Sequence, residues 1–385
     1  MTASPKPSLP TGDLVAPAFD YWIRKSPFFE KTLEAGCTRF SVAEGAYYPI
    51  QYASPLAEYE AITERASLWD VPAESPIEVR GPDAAAFLEW AQPRDLSRVT
   101  VGACRYIVCT NEDGGLVFDS VLLKLAEDRF WLSGSADWLR GLAVGRGFRA
   151  EIFQTEVSPL QLQGPRSRAV LQAFGVPGIA DLKVYRFLEA TVDGVPLIVT
   201  RTGWSGELGF EIYLRDNDKA GALWDRLLEA GRAFGLNVTA SSEMRRVEAG
   251  ILNYGTDFAE ADTPYHVGLG RLVDLDKPHD FVGRSALRRL AGAPLARRLT
   301  GLLLEDAPSA PFESPWPARR DQAPIGAASV VVYSPALDRW IGLAMLDAAT
   351  IDEATSFELL SPAGPVAAIP AEIPFIDKDR ARMRA

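Results

Sequence analysis

Alternating apolar and polar residues mark short strands in the first two thirds of the chain, with helical spacing between them. Residues 77–80 and 104–109 and the longer stretch 116–125 have the character of strands. Residues 167–174 are predicted to be helical, and residues 219–234 place their apolar side chains on one helical face. Strands and helices interleave throughout this part, which predicts an α+β fold.

Several further elements follow from local signals. Apolar positions at helical spacing predict a single helix over residues 56–68, and residues 242–252 are predicted to form another. Asp83 directly precedes a helical pattern over residues 84–91, so we expect its side chain to cap that helix. The sequence Asn-Glu-Asp-Gly-Gly at residues 111–115 predicts a hairpin turn.

The pattern changes near residue 299 to strands separated by turns rich in proline and glycine, which predicts an all-β module. The predicted strands cover residues 301–305, 326–333, 340–345, 356–360 and 366–369. We therefore expect a flexible tail over residues 1–17, a mixed region over residues 18–290 and a β domain over residues 299–385. The basic, proline-containing segment 291–298 is the expected boundary.

Charge and cysteine content narrow the function classes. The chain has 385 residues and a formal net charge of −11, which argues against binding to nucleic acids or to anionic membrane surfaces. Cys37, Cys104 and Cys109 form no Cys-x-x-Cys pair, so we expect apolar core residues in a reduced, cytoplasmic protein and no zinc site. The first 17 residues lack a signal peptide's apolar run, and no run of about 18 apolar residues predicts a membrane helix.

Histidine is scarce, which limits the chemistry further. The two histidines, His266 and His279, cannot build a histidine-rich metal site, and we expect no metal. Residues 203–206 resemble the Gly-x-Ser-x-Gly elbow of hydrolases, but Glu207 stands where the last glycine is required. The chemistry is therefore expected to depend on carboxylates, tyrosines, arginine or lysine, or on a cofactor.

Residues 201–213 read Arg-Thr-Gly-Trp-Ser-Gly-Glu-Leu-Gly-Phe-Glu-Ile-Tyr, directly after an apolar strand at residues 195–199. Glycines allow sharp turns or a close approach of the backbone to a ligand. The aromatic Trp204 and a carboxylate beside such a turn are suited to hold a flat heterocycle, one by its face and the other by its edge. The final Phe-Glu-Ile-Tyr alternates as a second strand does.

Taken in order, the motifs resemble those of the tetrahydrofolate-binding aminomethyltransferase family, the T-protein of glycine cleavage and its relatives. The similarity runs from about residue 58 to residue 377, and residues 201–213 are its most specific part. The motifs that carry it are Gly81-Pro82-Asp83, Tyr106, residues 111–119, Leu162-Gln163-Gly164-Pro165, residues 201–213, Arg246-Val247-Glu248-Ala249-Gly250, Tyr254-Gly255, Thr263-Pro264-Tyr265, Gly268-Leu269-Gly270 and Asp280-Phe281-Val282-Gly283-Arg284.

The resemblance implies a three-lobed protein with tetrahydrofolate in a central channel and a β-barrel as the third lobe. Residues 18–290 would form the first two lobes. By the same resemblance, Glu211 would grip the pterin with Trp204 beside the folate, Tyr106 would line the folate channel, and Asp119 would lie near the reacting folate nitrogens as the catalytic residue. Glu207 is expected to be a surface or loop acid. Tyr254 is expected to be structural, with protonation of a leaving group as the alternative.

The departures from glycine-cleavage T-proteins favour a different branch. Those proteins usually read Asp-Val-Ser-His-Met where residues 70–74 read Asp-Val-Pro-Ala-Glu, and Ala-Arg-Asp where residues 241–243 read Ser-Ser-Glu. Residues 24–28, 69–71, 93–95, 203–205 and 263–265 resemble the branch that includes dimethylsulfoniopropionate demethylase and the aryl-methyl-ether demethylases. Dimethylsulfoniopropionate demethylases, however, carry Lys-Gln-Gly where residues 206–208 read Gly-Glu-Leu.

The sequence therefore predicts a tetrahydrofolate-dependent demethylase that moves a methyl group from sulfur, oxygen or nitrogen of a small molecule to N5 of tetrahydrofolate. One alternative is aminomethyl transfer with a lipoyl carrier protein as partner. The other is a non-enzymatic folate-binding protein, which is disfavoured because its Lys-Gly-Cys-Tyr-type signature is missing from the sequence. The methyl donor itself is left open.

Overall fold

Two β-sheets face each other in the first two thirds of the chain, and a closed barrel follows them. The computed structural model describes residues 19–353 and 355–385, so the predicted tail over residues 1–17 lies outside the described part. The strands before the barrel are β1 (Arg39–Ala43), β2 (Ala46–Gln51), β3 (Ala66–Asp70), β4 (Ile77–Arg80), β5 (Cys104–Thr110), β6 (Leu116–Ala126), β7 (Arg129–Leu132), β8 (Glu151–Gln154), β9 (Ser158–Gln163), β10 (Phe187–Val192), β11 (Val195–Thr200), β12 (Gly209–Leu214) and β13 (Leu236–Val238).

The helices of the same region lie between these strands. They are α1 (Phe29–Glu34), α2 (Pro55–Glu64), α3 (Ala84–Ala91), α4 (Ala136–Arg146), α5 (Ser167–Phe174), α6 (Ala220–Gly231), α7 (Glu243–Glu248) and α8 (Arg284–Leu290). Strands β1 and β2 form a hairpin. The five-stranded sheet has the order β5-β6-β7-β4-β8, and the six-stranded sheet has the order β10-β11-β12-β9-β3-β13.

Alternation along β12 decides what each face of the six-stranded sheet carries. Phe210, Ile212 and Leu214 pack with residues of α5 and α6 in one apolar core. Successive side chains of a strand point to opposite faces, so Glu211 and Tyr213 point away from these helices. The polar side chains of this strand are thereby directed to the inner face of the sheet.

The five-stranded sheet is built in the same way and closes the other side of the inner space. Phe87 of α3 and Leu139 of α4 pack against Ile107 on its outer face. On the inner face, Trp131 lies against Tyr213 of the opposite sheet, with ring centroids 5.8 Å apart. The two inner faces therefore meet in a small apolar cluster and leave polar residues beside it.

The remaining strands form the closed barrel, whose order is β14-β17-β16-β15-β18-β19. They are β14 (Arg297–Leu304), β15 (Trp316–Arg320), β16 (Ala323–Ser334), β17 (Arg339–Asp347), β18 (Phe357–Ser361) and β19 (Gly364–Ala371), accompanied by α9 (Ala348–Glu353) and α10 (Ala381–Arg384). Ile341 and Leu343 of β17 share an apolar cluster with Val247 of α7. The barrel is therefore packed directly on the mixed region.

The predicted α+β fold with a C-terminal β-barrel is confirmed. Strand 77–80 and helices 84–91 and 167–174 have the predicted bounds. The turn at residues 111–115 is also confirmed, because Asn111 Oδ1 accepts the backbone N–H groups of Asp113 and Gly115 at 3.1 and 2.8 Å. All five predicted barrel strands are present, whereas β15 was not predicted.

Three local predictions are wrong. The helix predicted over residues 56–68 ends at Glu64, because residues 66–70 form β3, a fully buried strand inside the six-stranded sheet. Asp83 makes no capping hydrogen bond; its carboxylate accepts the backbone N–H of Arg149 at 2.8 Å and the guanidinium of the same residue at 2.9 Å. The helix predicted over residues 242–252 ends at Glu248, just before Gly250, which has a φ of 60°.

A buried ion network joins the parts of the fold. Arg245 has no exposed side-chain surface and lies 2.8 Å from Glu207 and 2.8 Å from Glu248. Arg382 of the C-terminal segment donates to Glu207 at 2.9 Å, and Ser334 of the barrel donates to Glu248 at 2.5 Å. Glu207 lies in the loop before β12, which was one of its two expected locations, but it is only 5% exposed and is therefore not a surface residue.

We predict that Glu207→Gln destabilises the protein strongly. The substitution leaves the buried Arg245 without half of its counter-charge, which costs about 3–5 kcal/mol in the free energy of unfolding. Thermal denaturation followed by circular dichroism should show a Tm lower by roughly 5 °C or more.

Arg382→Ala is the matched control, because the Arg382 side chain is 46% exposed. Partly solvated pairs contribute about 1 kcal/mol or less, so the control should shift the Tm only slightly. Equal shifts for the two variants would contradict a buried network centred on Arg245.

Candidate functional site

Glu211 is a buried carboxyl on the inner face of the six-stranded sheet. It is 5% exposed and accepts the hydroxyl of Tyr213 at 2.6 Å. Its neighbours across the sheet are Gln161 of β9 and Thr200 of β11. Burial raises the pKa of Glu211 above its usual range, while hydrogen bonds from Tyr213, Thr202 and Thr200 lower it. Among the described residues, no arginine or lysine forms an ion pair with it.

Tyr106 and Asp119 form a hydrogen-bonded pair on the inner face of the five-stranded sheet. They lie on the adjacent strands β5 and β6, and the tyrosine hydroxyl donates to Asp119 Oδ2 at 2.8 Å. Burial raises the pKa of Asp119 to about 6, and the charge of Asp257 adds to the rise. Burial and the neighbouring Asp119 carboxylate raise the pKa of Tyr106 well above its usual value.

Glu211 and the Tyr106–Asp119 pair lie on the inner faces of the two sheets, and the region between these faces is called the interior space. Cys104 lies two residues before Tyr106 on β5 and packs in the same apolar cluster as Tyr213, next to Glu211 on β12. Burial raises the pKa of Cys104, and the charge of Glu211 is the next cause. The same two causes raise the pKa of Tyr185, whose backbone has a φ of 56°. The charge of Glu211 thus raises the pKa of Cys104, which lies on the same strand as Tyr106.

Trp204 is held by two kinds of neighbour, an apolar cluster and a guanidinium. It packs against a cluster that includes Trp69 and Val71. The guanidinium of Arg246 lies 5.3 Å from the centre of its ring and also donates to Asp257 at 2.7 Å. Asp257 is also the residue whose charge adds to the raised pKa of Asp119.

The glycines around Trp204 serve the packing of the protein itself. A Cβ atom added to Gly203 or to Gly209 would overlap the side chain of Gln163. Ser205 Oγ donates to Gln163 Oε1 at 2.6 Å. The glycine-rich segment therefore encloses the buried Gln163. The hydroxyl of Ser205 is hydrogen-bonded to this glutamine, and within the described part of the chain it makes no hydrogen bond to a histidine.

The structure thus brings together Tyr106 with Asp119 directly, and directs Glu211 into the same interior space. Tyr254 is 37% exposed and packs edge-on against Phe258, with ring centroids 5.5 Å apart. The roles expected for Glu211, Trp204, Tyr106 and Asp119 remain predictions.

Other residues of the site were not assigned a role from the sequence. They are Glu74, Gln161, Tyr185 and Tyr213. The alternation Glu-Ile-Tyr at residues 211–213 does place Tyr213 on the same face as Glu211, and that signal was available. The left-handed backbone of Tyr185 and the contact of Glu74 with Gln161 have no signature in the sequence.

Residues 19–353 and 355–385 contain no helix with the length and hydrophobicity needed to cross a membrane. Within the same residues there is no group of three or more histidines, cysteines or acidic residues arranged to hold a metal ion.

Two sequence families match the chain. The GCVT N-terminal domain matches residues 28–277, and the glycine cleavage T-protein C-terminal barrel domain matches residues 297–377. The second match covers nearly the whole barrel, from β14 to just beyond β19.

The individual relatives have two different enzymatic activities, demethylation and aminomethyl transfer. The dimethylsulfoniopropionate demethylase of Ruegeria pomeroyi is 31% identical over 89% of this chain and 94% of the relative. An aminomethyltransferase of Rubrobacter xylanophilus is 36% identical over 93% of this chain and 95% of the relative. Among solved structures, the glycine cleavage system aminomethyltransferase T of Bartonella henselae has a TM-score of 0.82 at 28% identity, covering 92% of this chain and 98% of that one.

The matches extend over both sheets and the barrel, and the relatives are enzymes of one-carbon transfer. The chain therefore belongs to the glycine cleavage T-protein family and is a one-carbon transferase that uses tetrahydrofolate as its cosubstrate.

Proposed function

We propose that this enzyme is a demethylase, which transfers a methyl group from sulfur, oxygen or nitrogen of a small molecule to N5 of tetrahydrofolate. The observation that carries the proposal is the placement of Glu211 and the Tyr106–Asp119 pair on facing sheets around one interior space. Such a space can enclose a flat acceptor between an anchoring carboxyl and a second carboxyl near the reacting atoms, protected from water.

The residues present fit a pterin. Glu211 is buried, and among the described residues it has no cationic partner. A carboxylate in this state is suited to accept two parallel N–H bonds from a 2-amino-pyrimidinone edge, and charge-assisted bonds of this type are the stronger kind. We assign Glu211 to hold that edge, and Trp204 to the wall beside it.

Bound tetrahydrofolate would supply the secondary amine N5 that accepts the methyl group. Asp119, when ionised, would stabilise the positive charge that develops there. Tyr106 orients this carboxylate through its 2.8 Å hydrogen bond. A sulfonium donor leaves as a neutral sulfide and needs no acid. An aryl ether needs a proton for the phenolate, and Tyr106 and Tyr254 are the two candidate donors.

The relatives support two candidate functions. The demethylase of Ruegeria pomeroyi favours methyl transfer, together with the sequence Ser-Ser-Glu at residues 241–243 in place of Ala-Arg-Asp. Ser242 stands where those proteins have the arginine, and its hydroxyl caps α7 by accepting the backbone N–H of Arg245 at 3.2 Å, so this position carries an uncharged side chain. The aminomethyltransferase of Rubrobacter xylanophilus supports the second candidate, transfer of an aminomethyl group carried by a lipoyl protein.

The proposal is tested by incubating the purified enzyme with tetrahydrofolate and a panel of methyl donors. The panel contains methylated sulfonium, methoxy-aromatic and N-methyl compounds. We expect 5-methyltetrahydrofolate to form with one class of donor, as detected by mass spectrometry. Formation of methylenetetrahydrofolate from aminomethyl-lipoyl protein, with no product from any methyl donor, would establish the second candidate instead.

We predict that Glu211→Gln weakens tetrahydrofolate binding by about 100-fold or more, because the amide cannot accept both N–H bonds of the pterin edge as a carboxylate does. Titration calorimetry measures the change. Glu189→Gln is the matched control, because Glu189 lies on β10 of the same sheet but pairs with Arg215 at the surface. Unchanged affinity in Glu211→Gln would remove Glu211 as the pterin anchor.

We predict an acidic limb in the pH profile of kcat/KM with an apparent pKa near the value of about 6 for Asp119. Burial raises this pKa, so the ionised form that stabilises positive charge is present above pH 6 and is lost as the pH falls. The rate should fall about tenfold per pH unit below that point. Asp119→Asn should lower the rate by roughly 100-fold and abolish the limb; an unchanged limb in that variant would assign it to another group.

A further inference from the structure

Glu74 is a second acidic residue beside Glu211. It ends the short 3-10 helix Pro72–Glu74 that follows β3. Its Oε2 atom accepts the side-chain amide of Gln161 at 2.8 Å, and Gln161 is the direct cross-strand neighbour of Glu211. Two carboxyl groups from segments far apart in the chain therefore flank one glutamine on the inner face of the sheet.

This group of side chains has an excess of hydrogen-bond acceptors. Gln161 is 1% exposed, and its Oε1 atom has no hydrogen-bond partner among the described residues. Glu74 and Glu211 likewise have no ion-pair partner within residues 19–353 and 355–385. A buried acceptor without a donor costs free energy, so the site is complementary to a ligand that supplies several N–H groups.

The charges around Glu74 are consistent with this view. Burial raises the pKa of Glu74, and the charge of Glu211 raises it further. The charge of Glu74 also raises the pKa of Tyr48 of β2 and the pKa of Tyr213 of β12. Both are neutral acids, so no cation of these strands offsets the two carboxyl groups.

A pterin has more N–H groups than one carboxylate can accept. In the arrangement assigned above, Glu211 takes N3–H and one hydrogen of the 2-amino group. The second hydrogen of that amino group points away from Glu211 and needs another acceptor. We propose that Glu74, oriented by Gln161, accepts this second hydrogen and makes the 2-amino group a strict requirement for binding. The inference rests on the proposed function, since it concerns the same folate site.

The inference is specific to this chain's own sequence. Glu74 stands at the last position of the segment 70–74, where the T-protein pattern ends in methionine. A methionine has no strong acceptor for an N–H group. Glu74→Met therefore restores an apolar side chain of the kind found there in T-proteins, while it removes the proposed hydrogen bond.

The test compares two ligands with the full-length enzyme: tetrahydrofolate, and 2-desamino-tetrahydrofolate, which has a hydrogen in place of the amino group. Titration calorimetry gives the affinity of each ligand for the wild type and for Glu74→Met. We expect Glu74→Met to weaken tetrahydrofolate binding roughly 10- to 100-fold. Binding of the desamino ligand should change by less than about threefold, because the contact is already missing from that ligand.

Two further variants serve as controls. Glu74→Gln keeps an acceptor oxygen at this position, so its affinity for tetrahydrofolate should lie closer to that of the wild type than the affinity of Glu74→Met does. Glu60→Met introduces the same side chain at an exposed position of α2 and should leave both affinities unchanged. Circular dichroism verifies that each variant is folded. If Glu74→Met is not, Glu74→Ala, which also removes the acceptor, is compared for the same two ligands with the same expected outcomes.

Different failures have different signatures. Equal losses for both ligands in Glu74→Met, or no loss for either, would overturn the role of Glu74. A raised KM for the methyl donor with unchanged tetrahydrofolate affinity would place Glu74 in the donor site and also overturn it. If the wild type bound neither ligand, the proposed function itself would fail.

Discussion

Arg245 is the residue on which the arrangement of the lobes depends. Its guanidinium is fully buried and is balanced by Glu207 from the glycine-rich segment and Glu248 from its own helix. Ser334 of the barrel and Arg382 of the C-terminal segment complete the network. Two cations and two carboxylates are thereby matched inside the protein. Because a buried charge is stable only with its partners in place, the network holds the sheets, the barrel and the chain end in one arrangement.

In the interior space between the sheets, by contrast, the buried carboxyl groups are not balanced by cations within the described part of the chain. Glu211, Glu74 and Asp119 are enclosed, yet the described residues provide none of them with a cation. Burial raises the pKa of all three. Carboxyl groups kept in this state carry a cost in stability that a ligand with N–H groups or developing positive charge would offset. The contrast between matched and unmatched charges separates the structural junction from the site.

The same contrast explains one difference from the demethylating relatives. The resemblance implies Lys-Gln-Gly in dimethylsulfoniopropionate demethylases where this chain has Gly206, the buried Glu207 and Leu208. The difference therefore lies in the junction of the lobes, where Gly206 also packs closely on Ala249. It does not lie on the strand that presents Glu211, so the acceptor site can be shared by enzymes that act on different donors.

Local pattern was sufficient for much of the fold. Strict alternation predicted Glu211 on a strand, because the two faces of that strand meet an apolar core and a polar space. Amphipathic spacing predicted α5 and the main part of α6. Local pattern failed at residues 56–68, where helical spacing continues into a buried strand. There, the hydrogen bonds available inside the sheet outweigh the helical preference of the last residues.

By itself, the sequence determined the family, the interleaved fold, the barrel and the individual residues Glu211, Trp204, Tyr106 and Asp119 as candidates. Only the tertiary structure decided which side chains lie in contact. Gln161 meets Glu74 across 87 residues of chain, and Arg245 meets Glu207 across 38. The packing of strands, helices and loops far apart in the chain creates both contacts. Alternation along one segment predicts the face of the sheet on which a side chain lies. It does not predict the contact partner on that face, because the partner belongs to another segment that comes near only when the chain folds.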